Sequence, residues 1–405
     1  MAKFLWTHRT NFGPSPRSAS AMTYDSTRSR VVLFGGDPLS NLLGDTWVWD
    51  GSFWTQLDDI GPAPRRDSAL VYDTARQVAI LFGGRSAQGA LGDTWQWDGA
   101  EWTQLSESGP AARFTHAMAF DSTRNRTVLF GGSSGAASLS DTWEFDGQDW
   151  TQQEDTGPSA RAAHSMTFDS TNARVVLFGG ADAGSKGLGD TWGWSGSAWQ
   201  QIAEFGPPNR LGAAMVAMNT SLVLFGGVST NATEPPAQVF ADTWEFDGKH
   251  WTQRQDIGPG PRRDLAMAFD SGRNRVVLFG GLRLPPAAQI DVAALSGETW
   301  EHAGDQPAPP PPPPGNLAVA SIQPSFSNGA LTVVINLNGP APSGGADVLV
   351  TVAAQGTIGT PAHHTIAAGS TSETFTLEVP VLPPGGLLIS AQCGNTPAVS
   401  VSLAN

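Results

Sequence analysis

The chain has little cysteine, little tyrosine and little charge. Its 405 residues include one cysteine, Cys393, and two tyrosines, and 15% of them are charged. A single cysteine excludes an intrachain disulfide, and we expect it to be a buried apolar residue. The formal charge of −14 argues against nucleic acid or anionic lipid as a partner, because both are themselves negative.

Long apolar runs are also missing, so the sequence predicts no membrane insertion. The first residues pass directly into strand-like sequence and leave no room for a secretory signal peptide. A signal removed from this chain, another export route and a cytoplasmic location are therefore all compatible with the sequence.

What the chain does contain is a repeat. A Gly-Gly pair follows a short apolar run six times, at intervals of 48, 48, 48, 47 and 54 residues. The third repeat has four short runs, at 117–120, 128–130, 141–147 and 149–152, and we predict a strand in each. A period near 50 residues is typical of one four-stranded blade of a β-propeller. The pairs are Gly35/Gly36, Gly83/Gly84, Gly131/Gly132, Gly179/Gly180, Gly226/Gly227 and Gly280/Gly281.

Tryptophan supports the same register. All 15 tryptophans lie at or before Trp300, and two positions recur from repeat to repeat. We interpret them as packing residues between blades. A platform for stacking on sugars is the alternative, and the recurrence in every repeat disfavours it. The first position holds Trp47, Trp95, Trp143, Trp192, Trp244 and Trp300, and the second holds Trp54, Trp102, Trp150, Trp199 and Trp251.

The repeats resemble the kelch family. The resemblance rests on the double glycine, the downstream tryptophan and a Pro-x-x-Arg element such as 62–65, and it covers about residues 4–302. It implies an all-β fold with a six-bladed kelch propeller at residues 1–302. Segment 6–17 matches segment 54–65, and the last repeat stops after its third strand. We therefore expect the N-terminal strand to close the ring by completing blade six.

Composition changes abruptly after residue 302. The linker at 303–314 contains six consecutive prolines, which favour an extended spacer. Residues 315–405 lack Trp, Tyr, Lys and Arg, and their alternating runs predict a sandwich of about seven short strands. Segments 339–345 and 366–372 resemble immunoglobulin-like (Ig-like) modules of bacterial surface and secreted proteins. The resemblance implies a C-terminal Ig-like β-sandwich, a bacterial origin and an extracellular, cell-surface or particle-associated location.

No motif points to catalysis. Neither His-Glu-x-x-His nor Cys-x-x-Cys spacing occurs, and the adjacent His363 and His364 would point to opposite faces of a strand. We therefore expect no metal, no cofactor and no enzymatic activity.

An arginine recurs before the first strand of every repeat. Either it donates to loop carbonyls, or the six arginines form a ring of cations at the channel mouth that captures a carboxylate. The residues that follow it differ between repeats, which suits recognition. The two histidines among them also fit a structural role, because kelch proteins often carry histidine there. The arginines are Arg17, Arg65, Arg113, Arg161, Arg210 and Arg262, and the recognition candidates are Arg66, Asp67, Phe114, His116, His164, Arg263 and Asp264.

The segment after the double glycine also varies, with lengths of 8, 8, 8, 9, 14 and 16 residues. The long loops 228–241 and 282–297 are apolar, and in a propeller they emerge on the same face as the segment before the first strand. Apolar loops rimmed by charge suit a protein partner better than a glycan. Packing of the loops on each other or on the C-terminal domain is the alternative. The candidate contacts are Gln238, Phe240, Arg283, Leu284, Ile290 and Asp291.

These features predict a non-catalytic binding or scaffold module that mediates protein–protein interaction or surface assembly. A glycan-binding surface, or a recognition protein of a phage tail or injection particle, is the alternative. An enzyme with its site at the channel mouth is a third hypothesis. It requires a buried carboxylate or histidine with a strongly shifted pKa.

Overall fold

The computed structural model describes residues 4–10, 13–57, 60–106, 108–153, 156–203, 205–230, 238–254, 256–283, 294–303, 319–327, 330–337, 346–354, 357–358, 362–367, 370–378, 387–393 and 399–403. The regular elements named in this part of the chain are β-strands, and none of its residues form a helix long and apolar enough to cross a membrane. The chain divides into two compact units, Met1–His8 with Gly13–Asp305, and Arg9–Phe12 with Gln306–Asn405.

The first unit contains six sheets, of which five have four antiparallel strands and the sixth has five strands. In each blade the second strand is a buried apolar run, as in Val128, Leu129 and Phe130, which are 0% exposed. The predicted four-stranded repeat is therefore confirmed. In chain order the strands are β1 (Phe4–Thr10), β2 (Ala21–Asp25), β3 (Arg30–Gly36), β4 (Leu43–Trp49), β5 (Trp54–Gln56), β6 (Ala69–Asp73), β7 (Val78–Ser86), β8 (Gly89–Trp97), β9 (Trp102–Ser106), β10 (Ala117–Asp121), β11 (Arg126–Phe130), β12 (Thr142–Phe145), β13 (Trp150–Gln153), β14 (Ser165–Asp169), β15 (Arg174–Phe178), β16 (Thr191–Trp194), β17 (Trp199–Ala203), β18 (Ala214–Met218), β19 (Ser221–Phe225), β20 (Thr243–Phe246), β21 (Trp251–Arg254), β22 (Asp256–Ile257), β23 (Ala266–Asp270), β24 (Arg275–Phe279) and β25 (Thr299–Ala303).

The six sheets form a closed ring. The inner strands contact one another in the cycle β2, β6, β10, β14, β18, β23 and back to β2. The sixth sheet is completed by β1, which lies beside β25 and also pairs in parallel with β22 through Phe4 with Asp256 and Leu5 with Ile257. The predicted closure by the N-terminal strand is confirmed, and the unit is a six-bladed β-propeller.

The outer-strand tryptophan joins each blade to the preceding one. Its indole Nε1 donates to a threonine hydroxyl in the third strand of that blade, as in Trp102 to Thr46 at 2.9 Å. Trp6 of β1 makes the equivalent bond to Thr243 at 3.2 Å and lies in the buried cluster between blades five and six. The prediction that this tryptophan position packs between blades is confirmed.

The double glycine allows the backbones of neighbouring blades to approach closely. Gly35 and Gly83 have φ of +63° and +61°, and a Cβ at either would lie 2.7 Å from the carbonyl oxygen of the repeated arginine in the next blade. The second glycine donates its N–H to that same carbonyl, as in Gly36 to Arg65 at 2.9 Å. Any larger residue would force the blades apart.

The second unit is a sandwich of two antiparallel sheets. One has the order β26, β27, β31, and the other has the order β29, β28, β32, β33 with β30 paired to β28. Buried residues of both sheets, such as Val333 and Ile389, share one apolar cluster that includes Cys393. The expectation of a buried cysteine is confirmed. The strands are β26 (Val319–Ser327), β27 (Ala330–Leu337), β28 (Ala346–Ala354), β29 (Thr357–Ile358), β30 (Ala362–Ile366), β31 (Ser372–Glu378), β32 (Leu387–Cys393) and β33 (Val399–Leu403).

Candidate functional site

The six repeated arginines are structural. All are at most 1% exposed. Arg113, for example, donates to both carboxylate oxygens of Asp141 at 2.7 Å and to the Gly131 carbonyl at 3.0 Å. Burial opposes ionisation of Asp141, yet the hydrogen bonds from Arg113 and Trp143 hold its pKa below the usual range. These bonds support the structural interpretation and contradict the alternative of a ring of cations free to capture a carboxylate.

The two ends of the propeller are built from different segments. The segment before each inner strand pairs with the segment after the double glycine through a single bridge, as in Arg66 with Arg85 and Phe114 with Ser133. Both segments therefore lie on one face, as predicted, and we name it the mouth face. The Asp-containing turns, such as that after Asp121, lie at the opposite ends of the inner strands, on the turn face.

A closed ring of backbone hydrogen bonds surrounds the channel on the mouth face. The residue two positions after each repeated arginine donates its N–H to the carbonyl of its counterpart in the preceding blade, at 2.8–3.0 Å all round the ring. All six have φ between +52° and +65°, although five are not glycine. Such backbone persists only where surrounding structure enforces it, and it often marks functional sites. This mouth ring consists of Ala19, Asp67, Thr115, Ala163, Gly212 and Asp264.

The mouth ring brings two predicted carboxylates together. Asp67 of blade two and Asp264 of blade six flank Ala19 in the ring. Arg66 approaches Asp67 at 3.5 Å between Nε and Oδ2, and it also makes a 2.8 Å bond to Asp37. Arg263 forms an ion pair with Asp264. The four predicted residues of blades two and six therefore belong to one charged cluster.

Gly212 makes room for this cluster. A Cβ at Gly212 would collide with Oδ1 of Asp264, so that carboxylate lies over the glycine of blade five. A cavity of about 150 Å³ opens beside it, with Asp67, Asp264 and Thr115 in its lining. We name it the mouth cavity.

Both carboxyls titrate abnormally. Burial, together with the negative charge of Asp264, raises the pKa of Asp67 to about 7, and the positive charge of Arg66 only partly offsets the two effects. Burial also raises the pKa of Asp264, against the opposing charge of Arg263. It is energetically unfavourable for both carboxyls to be ionised at once. Such pairs are common in functional sites.

The two predicted histidines also line the mouth cavity. His116 and His164 are each 6% exposed, and their rings pack edge-on against Phe82 and Phe130, with centroids 5.4 and 5.6 Å apart. Burial, together with the positive charge of Arg161, lowers the pKa of His164 to about 3. Burial, with the charge of Arg113, lowers the pKa of His116 well below its usual range. Both imidazoles are therefore neutral.

Phe114 lies next to the cluster but makes a different contact. The guanidinium of Arg85 lies over its ring, 5.2 Å from the centroid. Sequence reasoning did not find Arg85, nor Asp37 and Thr115. Arg85 lies near the end of β7, and Asp37 and Thr115 lie in short loops. All three segments resemble their counterparts in length, so no pattern in the sequence distinguished these residues.

The long loops are described only in part. Gln238 is exposed; its carbonyl accepts from the Ser229 N–H, and its own N–H donates to Oγ of Ser229, both at 2.9 Å. Phe240 is 7% exposed, and the guanidinium of Arg210 lies 3.9 Å from its ring centroid. Phe240 therefore packs internally, which corrects its interpretation as an exposed contact. Arg283 pairs with Glu298 at 2.7 Å and stays partly exposed. The candidates Leu284, Ile290 and Asp291 lie outside the described residues.

Towards the turn face, the channel is lined mainly by apolar and aromatic side chains. A cavity of about 430 Å³ there is lined by the inner strands. The residue after the first position of each inner strand is methionine in five blades and Leu70 in blade two. Two positions further on, five blades carry a tyrosine or phenylalanine and blade five carries Ala217. These side chains are nearly constant, in contrast to those of the mouth ring.

A family of known proteins matches most of the chain. The KLHDC2/KLHL20/DRC7 Kelch-repeats domain matches residues 2–157 and again residues 148–324. The chain belongs to the kelch-repeat family. Its propeller is similar to the structure titled "Structure of YjhT", with 13% sequence identity, a TM-score of 0.57, and coverage of 72% of this chain and 95% of that one. At this identity the similarity concerns the fold alone. No curated protein matches the chain in sequence.

The kelch chain offers no metal centre in its described part. Among those residues, no three His, Cys, Asp or Glu side chains lie close enough together to hold a metal ion. What the mouth face offers is a rigid polar surface: two coupled carboxyls, two flanking arginines, two neutral imidazoles and an aromatic ring.

Proposed function

We propose that this kelch protein is a non-catalytic binding module that engages a protein partner through the mouth face of its propeller. One observation carries the proposal. The mouth ring uses the same backbone geometry and hydrogen bonds in every blade but presents different side chains, from Gly212 to Asp264. A rigid scaffold with variable side chains at one end is the common design of repeat proteins that bind.

The contact surface would include the charged cluster of Arg66, Asp67, Arg263 and Asp264, together with the exposed parts of the two long loops. Partly exposed arginines next to aromatic groups are typical of interface centres. In this proposal the kelch repeats and an Ig-like C-terminal sandwich serve surface assembly in a bacterial, extracellular or particle-associated setting.

The experiment is a pull-down from source-organism lysate and envelope, with the partner identified by mass spectrometry. The intact chain is compared with a variant in which loops 228–241 and 282–297 are cut to eight residues each. Phe114→Ala and Arg66→Ala test the cluster, and Gln148→Ala on the turn face serves as the matched surface control. We expect the intact chain and the control to enrich the same protein and the other variants to lose it. A partner retained by all variants would reject the mouth face as the contact surface.

Glycan binding is the second candidate function. It is favoured by the aromatic ring of Phe114, which lies under the Arg85 guanidinium on the same face as the hydrogen-bonding groups of Arg66 and Asp67. Aromatic and hydrogen-bonding groups on one face suit a sugar ring. A glycan array with the same variants distinguishes the two functions. If the native chain binds a glycan, free sugar competes with that binding, and Phe114→Ala abolishes it, glycan binding is favoured over protein binding.

A further inference from the structure

The aromatic side chains of the inner strands lie between consecutive blades. Tyr72 packs in one cluster with Ala21 of blade one, and Phe168 packs with Ala119 of blade three. Each ring therefore fills the space between its own inner strand and that of the preceding blade, beside the channel. These aromatic residues are Tyr24, Tyr72, Phe120, Phe168 and Phe269.

Blade five lacks this ring, because Ala217 occupies the position. Ala217 and Thr167 of the neighbouring strand β14 are both only partly buried, and both line the cavity of about 430 Å³, which we name the turn-face cavity. The Ala217 N–H donates to the Thr167 hydroxyl at 3.1 Å. An aromatic ring thus fills five of the six spaces between inner strands, and none fills the space between β14 and β18. We name this space the ring gap.

The turn face is also lower beside the ring gap. Met218 pairs with Ser221, so two residues join β18 to β19. The other five blades have four residues at this turn, as between Asp121 and Arg126 in blade three. Both departures of blade five from the repeat therefore lie at the same place, and both widen the turn-face cavity between blades four and five.

The channel is narrow at its mouth end. Backbone hydrogen bonds of 2.8–3.0 Å join the six residues of the mouth ring, and residues paired in this way have Cα atoms about 5 Å apart. A closed ring of six such residues has a radius of about 5 Å to its Cα atoms, which leaves little more than the width of a water once the size of the atoms is subtracted. A larger ligand must therefore enter the channel from the turn face.

The lining of the turn-face cavity suits a neutral apolar ligand. No Lys, Arg, His, Asp or Glu is among the described residues that line it, and a buried charge without a partner is strongly unfavourable. Methionine side chains adapt to the shape of a ligand. The Thr167 hydroxyl accepts from Ala217 and keeps its own proton to donate. An apolar cavity of about 150 Å³ holds one benzene, so the larger volume here suits a compound with more than one ring.

We propose that the turn-face cavity binds a neutral aromatic compound with fused rings, one of which lies in the ring gap. That ring takes the place of the side chain that blade five lacks, and an oxygen on it accepts a hydrogen bond from Thr167. The other rings lie in the channel among the methionine side chains. The ligand is a free compound, because the cavity exceeds the volume of one aromatic side chain. The mouth face takes no part, so the proposal does not rest on the proposed function.

The test uses the full chain with 2-naphthol as the probe and 2-naphthalenesulfonate as its charged counterpart. Binding is measured by equilibrium dialysis at pH 7, where 2-naphthol is neutral. Ala217→Phe fills the ring gap with the type of side chain that the other blades carry, and the smaller Ala217→Leu is tested in parallel. Phe205→Ala is the matched control, because Phe205 is 87% exposed and lies outside the cavity. Far-UV circular dichroism establishes that each variant is folded.

We expect 2-naphthol to bind the native chain and Phe205→Ala equally well. The sulfonate and both Ala217 variants should show binding at least about tenfold weaker. Thr167→Val keeps the shape of the side chain without its hydroxyl and should bind about fivefold more weakly, the loss of one hydrogen bond. No binding of 2-naphthol to the native chain, equal binding of the sulfonate, or unchanged binding in the folded Ala217 variants would overturn the proposal.

A double variant separates a filled gap from a damaged fold. Ala217→Phe combined with Phe120→Ala closes the ring gap and opens the equivalent space between β6 and β10, where Phe120 packs in one cluster with Val71. We expect the folded double variant to recover most of the affinity for 2-naphthol that Ala217→Phe loses. A folded double variant that binds no better than Ala217→Phe would overturn the proposal, because an open space between inner strands would then not be what binds the ring.

Discussion

The two ends of the propeller channel share one backbone but differ in how their side chains vary. Towards the turn face, methionine and aromatic side chains repeat in nearly every blade and line the channel. At the mouth, the residues of the mouth ring repeat only their φ angles and hydrogen bonds. Positions that repeat stabilise the ring, and positions that vary on a fixed backbone are available for recognition.

The largest expected effect comes from opening the ring. Deleting residues 1–10 removes β1, the Trp6–Thr243 hydrogen bond and the Trp6 packing between blades five and six. Loss of a buried tryptophan alone costs about 3–5 kcal/mol, and the loss of a strand adds to it. We expect a large fall in the melting temperature, or no folded protein. Trp6→Ala gives the intermediate case, and an unchanged melting temperature in the deletion would refute closure by β1.

Substitution of a residue that repeats in every blade should cause the next largest loss of stability. Arg113→Met leaves the Asp141 carboxylate without its two arginine bonds and the Gly131 carbonyl without its donor. Breaking a buried ion pair by removing one partner costs about 3–5 kcal/mol. Urea unfolding should show this loss in Arg113→Met and little change in the control Arg85→Met, because Arg85 is exposed. Equal stability of the two variants would contradict the structural role of the repeated arginines.

Substitution of a mouth-ring residue that varies between blades should raise the stability of the protein instead of lowering it. Asp67 has a pKa of about 7 when folded and near 3.9 when unfolded. Its folded pKa is raised, so stability falls as pH rises from about 4 to 7. We expect Asp67→Asn to be about 2–4 kcal/mol more stable than the native chain at pH 8, and equal to it near pH 4. Melting temperatures across this range test the prediction, and a variant less stable at pH 8 would show that Asp67 supports the fold.

The smallest of these effects concerns His164. Its pKa is about 3 when folded and near 6.5 when unfolded. The native chain therefore loses stability as pH falls below about 6.5, by about 2 kcal/mol at pH 5. His164→Leu should remove this loss, and Leu265 at the same position of blade six shows that leucine fits a blade. If the native chain and His164→Leu respond to acid in the same way, His164 is not buried as a neutral ring.

Much of the fold was predictable, because repetition converts a weak local pattern into a strong one. Six Gly-Gly pairs and two tryptophan positions predicted the blades, and the match between segments 6–17 and 54–65 predicted the closure. The charged cluster was predicted only as separate residues. Phe240 was misinterpreted because a phenylalanine in a long loop looks exposed, whereas it lies under Arg210.

The sequence by itself determined that six similar blades close into a ring, because each repeat carries the same glycines, arginine and tryptophans at nearly the same spacing. Only the tertiary structure decided which side chains come together at the mouth face. Asp67 and Asp264 are almost two hundred residues apart in the chain, and the ring places them on either side of Ala19. The raised pKa of Asp67 follows from burial and from the negative charge of Asp264, and the raised pKa of Asp264 follows from burial. Both causes exist only when the ring is closed.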